Sequence, residues 1–197
     1  NTDIEVHMHH ELTILVPIYN EEATLPTVMG AIHAAWPHAQ TIFIDDGSQD
    51  ASLHILKKLA GPHDVIIQGQ HGGKGAAIRL GLEQAKGTYT VIQDADLEYD
   101  PQEITSLLTK AKTHQQSAIF GSRFFNGKTP HIYWRFLMGN KCITWCLNVL
   151  FHSKLTDCYT CYKLLPTHVF KNLTLQSSGF EMEAEIAAKC LKRKIHI

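Results

Sequence analysis

Short apolar runs alternate with longer amphipathic segments between Leu12 and Phe120. The apolar runs are rich in β-branched residues and stop at turn residues, which is the pattern of buried strands. This pattern predicts strands at Leu12–Val16, Thr41–Ile44, Val65–Ile67, Tyr89–Ile92 and Ser117–Phe120.

The segments between these runs have helical spacing. A helix is predicted to start at Asp100, because an Asp cap there is followed by Pro101 and Glu103. The alternation of strands and helices predicts an α/β fold with a mostly parallel sheet flanked by helices, and a length of 197 residues suits one domain. The other predicted helices are Ala23–Ala35, Ala51–Leu59 and Ala76–Ala85.

Polar clusters follow several of the predicted strands. In open parallel sheets, ligands bind beyond the carboxyl ends of the strands. We therefore expect residues that are distant in sequence to share one edge of the sheet. The clusters are Asn20–Glu22, Asp45–Asp46, Gly72–Gly75 and Asp94–Asp96.

Composition and charge remove several classes of protein. Hydrophobic residues make up 44% of the chain and charged residues 19%, so a disordered chain is excluded. The net charge is -1, which argues against a nucleic-acid partner and against a polybasic membrane tether. An anionic ligand must therefore be held by a local site.

The five cysteines are an odd number, which indicates a reducing compartment and a cytoplasmic location. Cys142 and Cys146, followed by Cys158 and Cys161, loosely resemble two pairs of zinc ligands. The first pair lies in an apolar helical run, however, where cysteine usually behaves as a small hydrophobic residue.

That apolar run extends from Ile132 to Phe151 and is interrupted by polar residues. Its uncharged part is shorter than the roughly 20 residues of a spanning helix. Two interpretations stay open: the run packs in the core, or it rests on a membrane surface and admits a lipid. No signal peptide is recognised at the start. The first residue is Asn1 rather than Met, and Ile195–Ile197 reads as the start of a strand, so we expect a shortened chain.

Asp94 and Asp96 are the strongest candidates for metal ligands. Two carboxylates one residue apart, after a strand, can both reach a hard divalent cation such as Mg²⁺. Glu98 continues the alternation and could add a ligand. The alternative is a solvated acidic turn.

Asp45 and Asp46 also end a strand, where one of them could bind a ligand hydroxyl or base edge; the alternative is a turn with a helix cap. The stretch Gly72–Gly75 includes Lys74 and offers amides and a cation to a phosphate; the alternative is an ordinary loop. The glycine spacing fits neither a Walker A loop nor a dinucleotide-binding fingerprint.

Taken together, the motifs resemble glycosyltransferase family 2, and within it the dolichol-phosphate mannose synthase branch with its bacterial polyprenyl-phosphate relatives. A later segment from Thr156 to Lys163 also resembles that branch, with Cys161 and Lys163 as departures. The family's final strand and the Arg that follows it are missing, which implies a domain shortened at its C-terminal end. The motifs are Val16–Glu21, Asp45–Ser48, Gly73–Gly75, Asp94–Leu97 and Gly121–Arg123.

The resemblance implies a GT-A fold, a nucleotide-sugar donor, Mg²⁺ or Mn²⁺, and inversion at the anomeric carbon. It places the acceptor, a lipid phosphate, next to Arg123 and Lys163, and the enzyme at the cytoplasmic face of a membrane. It assigns the metal and the diphosphate to Asp94 and Asp96, with Glu98 beside them. It assigns the nucleoside to Pro17, Tyr19, Glu21 and one of Asp45 and Asp46, while Lys74 and Gly75 stay candidates for the phosphates.

Three rival functions stay open. A family 2 enzyme that acts on a sugar hydroxyl would need a general base, for which Asp157 is the candidate. A non-catalytic module that binds nucleotide-sugars is the second, and the intact pair Asp94 and Asp96 argues against it. A sugar-phosphate nucleotidyltransferase would carry a glycine-rich basic loop directly after the first strand, where this chain has Pro17–Glu22.

Overall fold

The computed structural model describes residues 10–124 and 134–197. It contains a six-stranded sheet with the order β3-β2-β1-β4-β6-β5. Strands β1 to β4 pair in parallel, whereas β6 runs antiparallel to both of its neighbours. The strands are β1 Leu12–Ile18, β2 Gln40–Asp45, β3 Asp64–Gln68, β4 Tyr89–Ile92, β5 Ile119–Phe120 and β6 Lys163–Pro166.

Helices cover both faces of this sheet, as the strand and helix alternation predicts. Alternate residues of β1 show this, because Ile14 and Val16 pack with α1, α2 and α4, whereas Leu15 packs with α3, α6 and α7. The helices are α1 Leu25–Ala35, α2 Ser52–Leu59, α3 Lys74–Gln84, α4 Ile104–Thr113, α5 Trp134–Phe151, α6 Thr167–Asn172 and α7 Met182–Lys192.

The element bounds differ from the prediction at several points. Strand β1 continues through Pro17, which still aligns with Ile44 in the parallel register. The helix expected from Asp100 begins as a 3₁₀ turn at Pro101–Glu103, and the Asp100 carboxylate caps it by accepting from the Gln102 amide. Residues 195–197 are not a strand, although the Ala118 amide donates to the His196 carbonyl.

Strand β6 was not predicted, because it is short and starts with a lysine. In the structure Lys163 is fully buried, since an acidic partner from α7 compensates its charge. No helix among the described residues is long and apolar enough to cross a membrane.

Candidate active site

The ends of β1, β2 and β4 bring their polar residues to one edge of the sheet, where two cavities adjoin. The smaller has a volume of about 270 Å³ and is lined by Pro17, Tyr19, Glu21 and Asp46 among others. The larger, of about 520 Å³, is lined by Glu98, Tyr99 and Arg123 among others. Lys74, Asp94, Asp96 and Phe180 line both cavities.

Asp94 and Asp96 follow β4 and lie where the two cavities meet. Loss of surrounding water in the cleft, together with the negative charge of Asp94, raises the pKa of Asp96 above its usual value. For Glu98, partial burial and the charge of Asp96 likewise raise the pKa. The negative charges of Asp94 and Asp96 thus act on their neighbours, and a cation near Asp96 would stabilise its charged form.

Lys74 is the first residue of α3, and its ammonium lies between two carboxylates. Its Nζ atom is 2.7 Å from Asp94 Oδ1 and 2.8 Å from Glu183 Oε1. The Phe180 ring lies 5.7 Å from the same ammonium. Lys74 therefore reaches the cleft, as expected of a residue that could meet a phosphate.

The neighbouring acids Asp45 and Asp46 are both buried, but their environments differ. Both carboxylate oxygens of Asp46 accept backbone amides, from Gly72 at 2.7 Å and from Gly73 at 2.8 Å. Asp45 Oδ1 accepts the Ser48 amide, whereas Oδ2 has no hydrogen-bond partner among the described residues. Asp46 therefore holds the glycine loop in place.

The amides of this glycine loop are not available as a phosphate cradle, which corrects that expectation for Gly75. The Gly75 amide donates to the Ser178 carbonyl at 2.7 Å, and the amides of Gly72 and Gly73 donate to Asp46. The loop before α7 approaches so closely that a Cβ on Gly75 would lie 2.3 Å from the Ser177 carbonyl oxygen. The glycines are needed there for packing.

On the β1 side, the Tyr19 ring stacks on His71, with ring centroids 4.2 Å apart and planes at 25°. Pro17 and Glu21 line the same cavity, but the Glu21 carboxylate already accepts from the Thr24 hydroxyl at 2.7 Å. The stacked pair offers a flat aromatic surface beside this cavity.

Arg123 lines the larger cavity and forms a bidentate pair with Asp157. Its Nε donates to Asp157 Oδ2 at 2.8 Å, and its Nη2 donates to Asp157 Oδ1 at 3.1 Å. Burial would raise the pKa of Asp157, but hydrogen bonds from Arg123 and from Asn140 outweigh it and hold the pKa below its usual value. Arg123 and Asp157 are therefore paired with each other at the wall of the larger cavity.

Lys163 does not face either cavity. Its side chain is fully buried, and its Nζ is 2.6 Å from Glu183 Oε2. This burial argues against the expectation that Lys163 contacts an acceptor phosphate. Sequence reasoning also missed Glu183, Asn140 and Phe180, because each owes its place to α5 or α7 packing beside the strand ends rather than to a local motif.

Cys142 and Cys146 are exposed on α5, contrary to the expectation that they behave as buried small hydrophobic residues, whereas Cys158 and Cys161 are buried. Apolar residues on the same face of α5 are exposed too, so this face does not pack in the core, although Leu147 on the opposite face does. Met138 is 57% exposed, Trp145 63% and Leu150 71%. The start of the predicted run, Ile132, and the side chains of residues 134–136 lie outside the described part.

Residues 13–174 match the sequence profile of Glycosyl transferase family 2. The chain belongs to this family, and its sheet and flanking helices form the GT-A fold of a glycosyltransferase domain. Both the family and the fold confirm the interpretation of the sequence.

Among curated relatives, the chain is similar to an undecaprenyl-phosphate 4-deoxy-4-formamido-L-arabinose transferase of Pseudomonas fluorescens. The two are 36% identical over 111 residues, which cover 52% of this chain and 33% of that protein. A dodecaprenyl-phosphate galacturonate synthase of Rhizobium johnstonii is 30% identical over 148 residues, covering 71% and 42%. The chain thus spans a third to under a half of these two relatives.

Among solved structures, the fold is similar to glucosyl-3-phosphoglycerate synthase of Mycobacterium tuberculosis, crystallised with Mn²⁺, uridine diphosphate and glucosyl-3-phosphoglycerate. The TM-score is 0.69 at 16% sequence identity, over 93% of this chain and 66% of that one. At this identity the likeness concerns the fold.

Proposed function

We propose that the protein is a metal-dependent, inverting glycosyltransferase that moves a sugar from a nucleotide-sugar, of the GDP-mannose or UDP-glucose type, to a polyprenyl phosphate. The observation that carries this proposal is that Lys74, Asp94 and Asp96 line two adjoining cavities at once. One cavity suits a nucleoside diphosphate and the other suits an acceptor, so the charged group would sit between the two reactants.

The carboxylates fit a divalent cation that the donor completes. Mg²⁺ in proteins typically uses one or two carboxylates together with substrate phosphates. Within residues 10–124 and 134–197, no group of three or more His, Cys, Asp or Glu side chains is arranged to hold a metal. Asp94 and Asp96, with Glu98 nearby, would therefore hold Mg²⁺ or Mn²⁺ with the diphosphate. Such a cation stabilises the negative charge that develops on the departing diphosphate.

The smaller cavity supports the donor assignment. The stacked rings of Tyr19 and His71 give a surface for a base, and the Lys74 ammonium compensates diphosphate charge. Of the two acids after β2, Asp45 retains a buried Oδ2 without a hydrogen-bond partner among the described residues, which a nucleoside hydroxyl or N–H would satisfy. Asp46 lines the smaller cavity and Asp45 does not, so the nucleoside-binding acid stays one of the two.

Arg123 is the proposed anchor of the acceptor phosphate. Two of its nitrogens are engaged by Asp157, and the guanidinium carries five N–H donors in all, so donors remain for the cavity it lines. Asp157 holds the plane of the guanidinium in place, which favours bidentate recognition of phosphate. A phosphate oxygen is already anionic at neutral pH, so this acceptor requires no general base.

The same geometry disfavours a sugar-hydroxyl acceptor activated by Asp157. A general base must reach the proton that it removes. The Asp157 side chain is completely buried, and Arg123, Asn140 and the Tyr159 amide all donate to its oxygens. Its lowered pKa makes it a weak base as well.

The exposed face of α5 supports a lipid acceptor and a peripheral place on a membrane. Met138, Cys142, Trp145 and Val149 are exposed and follow one another at three- and four-residue intervals, so they share one side of the helix. Asn140 and Ile143 of the same helix line the larger cavity. A membrane surface under α5 would bring a polyprenyl chain to this cavity.

The test combines donor binding with transfer. We expect thermal stabilisation by UDP or GDP only when Mn²⁺ or Mg²⁺ is present, and transfer from the matching nucleotide-sugar to a short-chain polyprenyl phosphate. Stabilisation without a metal, or transfer only to a neutral sugar, would contradict the proposal.

Two variants separate acceptor contact from bracing. We expect Arg123→Lys to raise the KM for the acceptor about tenfold or more, the effect of losing a charged hydrogen bond, while donor affinity stays near normal. Asp157→Asn keeps the guanidinium and should raise this KM less. Equal effects of the two variants on the acceptor KM would show that Arg123 only braces the loop.

A further inference from the structure

Four side chains of alternating charge run from the cleft into the protein interior. Asp94 Oδ1 is 2.7 Å from Lys74 Nζ, which is 2.8 Å from Glu183 Oε1, and Glu183 Oε2 is 2.6 Å from Lys163 Nζ. The first two members line the cleft, whereas Glu183 and Lys163 line neither cavity there. Among residues 10–124 and 134–197, Glu183 thus touches the proposed site through Lys74 alone.

Glu183 and Lys163 are so deeply buried that each needs the other as a charge partner. The Glu183 side chain is 3% exposed and that of Lys163 is 0% exposed. Removing a charge from water costs several kcal/mol, so each buried charge needs its partner. Glu183 also lies in the first turn of α7, where the helix dipole stabilises a negative charge. Its carboxylate is therefore a fixed point in the network.

Lys74 is the member that can exchange partners. Its backbone is fixed, because the Gly75 amide donates to the Ser178 carbonyl at the start of α3. Its side chain, at 10% exposure, reaches both the fixed Glu183 and the cleft carboxylate Asp94. A divalent cation on Asp94 would repel the ammonium, and Glu183 offers the place to which it can withdraw.

We propose that Glu183 is a positioning residue that sets the location of the Lys74 ammonium and thereby the affinity of Asp94 for a divalent cation. This inference rests on the proposed function, which makes Asp94 a metal ligand. In the metal-free protein Lys74 serves as the counter-ion of Asp94. On metal binding Glu183 retains Lys74 at the cleft, where its charge meets the donor diphosphate.

Calorimetric titration of the nucleotide-free protein with Mn²⁺ tests this directly. Lys74→Met removes the competing ammonium, and we expect Mn²⁺ to bind about tenfold more tightly. Glu183→Gln leaves Lys74 to Asp94 alone, and we expect Mn²⁺ to bind several-fold more weakly. Glu83→Gln on the exposed side of α3 and Lys112→Met on α4 are matched controls for the charge changes and should bind Mn²⁺ as the unchanged protein does.

The double variant distinguishes positioning from long-range electrostatics. If Glu183 acts through Lys74, Lys74→Met/Glu183→Gln binds Mn²⁺ as tightly as Lys74→Met alone. If the two charges act independently, the two effects add, and the inference is overturned. Should Glu183→Gln fail to fold because Lys163 loses its partner, Lys163→Met/Glu183→Gln removes both buried charges and replaces it as the background.

A second readout separates this inference from the proposed function. We expect Lys74→Met to weaken binding of UDP or GDP in the presence of Mn²⁺ about tenfold, although it strengthens binding of Mn²⁺ alone. Additive effects of Lys74→Met and Glu183→Gln on Mn²⁺ affinity, together with normal binding of UDP or GDP in the presence of Mn²⁺, would overturn the role of Glu183. The proposed function would still stand in that case. Absence of Mn²⁺ binding to the nucleotide-free protein would overturn this inference alone. Absence of Mn²⁺-dependent binding of UDP or GDP, or Mn²⁺ binding that Asp94→Asn leaves unchanged, would overturn both.

Discussion

Two pairs of acids follow strands in this protein, and the structure treats them in opposite ways. Asp45, the last residue of β2, and Asp46 are 1% and 5% exposed, and both carboxylate oxygens of Asp46 accept backbone amides. Asp94 and Asp96 after β4 line two cavities, where loss of surrounding water and then the charge of Asp94 raise the pKa of Asp96. The first pair is largely satisfied by backbone amides, whereas the second lies in the cleft, where Asp94 pairs with the ammonium of Lys74.

A carboxylate pair at a strand end therefore does not by itself define a ligand site. The difference lies in the neighbouring backbone. The glycine loop turns its amides towards Asp46, and the lysine that follows it turns towards Asp94. One loop therefore fixes the first pair and supplies the charge partner of the second.

The largest expected difference between the two acid pairs is in their effect on activity. We expect Asp96→Ala to reduce sugar transfer on the order of 100-fold or more, since the proposed metal ligand is lost. Because Asp96 is exposed, the Tm of this variant should differ from that of the unchanged protein by less than about 2 °C. Transfer that survives both this change and EDTA would contradict the role of the second pair.

Asp46→Ala should do the reverse and act first on stability. It removes two charged hydrogen bonds from the amides of Gly72 and Gly73, and we expect a loss of about 2 kcal/mol in the free energy of unfolding. Chemical denaturation measures this loss. An unchanged midpoint together with abolished nucleotide binding would mean that Asp46 is itself a ligand residue.

A substitution in the glycine loop should cause a similar or smaller loss of stability. Gly75→Ala places a Cβ against the Ser177 carbonyl, and we expect a loss of about 1–3 kcal/mol from this overpacking. Gly139→Ala on α5 is the control, because nothing lies within 4 Å of a Cβ there. The control should be neutral or slightly stabilising, by up to about 1 kcal/mol. Equal Tm values for the two variants would argue against the close approach at Gly75.

The smallest expected effect concerns acid stability. Burial would raise the pKa of Glu185, but its ion pair with Lys189 and the amides of Ser177 and Gln176 outweigh it and lower the pKa to about 2. A lowered pKa gives stability that is present above the unfolded value near 4.5 and is lost as the pH falls towards 2.

We expect Glu185→Gln to remove about 1–2 kcal/mol of stability at pH 7 and to have a smaller effect near pH 2. Denaturation at several pH values measures the difference. Lys189→Met serves as a partial control, because it removes the ion pair but leaves both amide hydrogen bonds. A stability loss for Glu185→Gln that does not depend on pH would contradict the lowered pKa.

Much of the framework was predictable because it depends on local patterns. Apolar β-branched runs and turn residues predicted β1 to β5, and the Asp100 cap was confirmed. The spacing of the acidic and glycine motifs indicated the family before any contact was known. The roles of individual residues within these motifs were harder to predict, because Asp46 and Gly75 make hydrogen bonds with segments distant in sequence.

Fold class, family and the sheet edge where the polar residues gather could all be predicted from the sequence, since periodicity and motif order are properties of neighbouring residues. Only the tertiary structure decided that Lys163 is buried, that Asp157 is paired with Arg123, and that Glu183 lies behind Lys74. The physical reason is that the charge state and the accessibility of a side chain depend on which distant groups surround it. Those groups come from β6, α5 and α7, which the chain brings to the strand ends only when it folds.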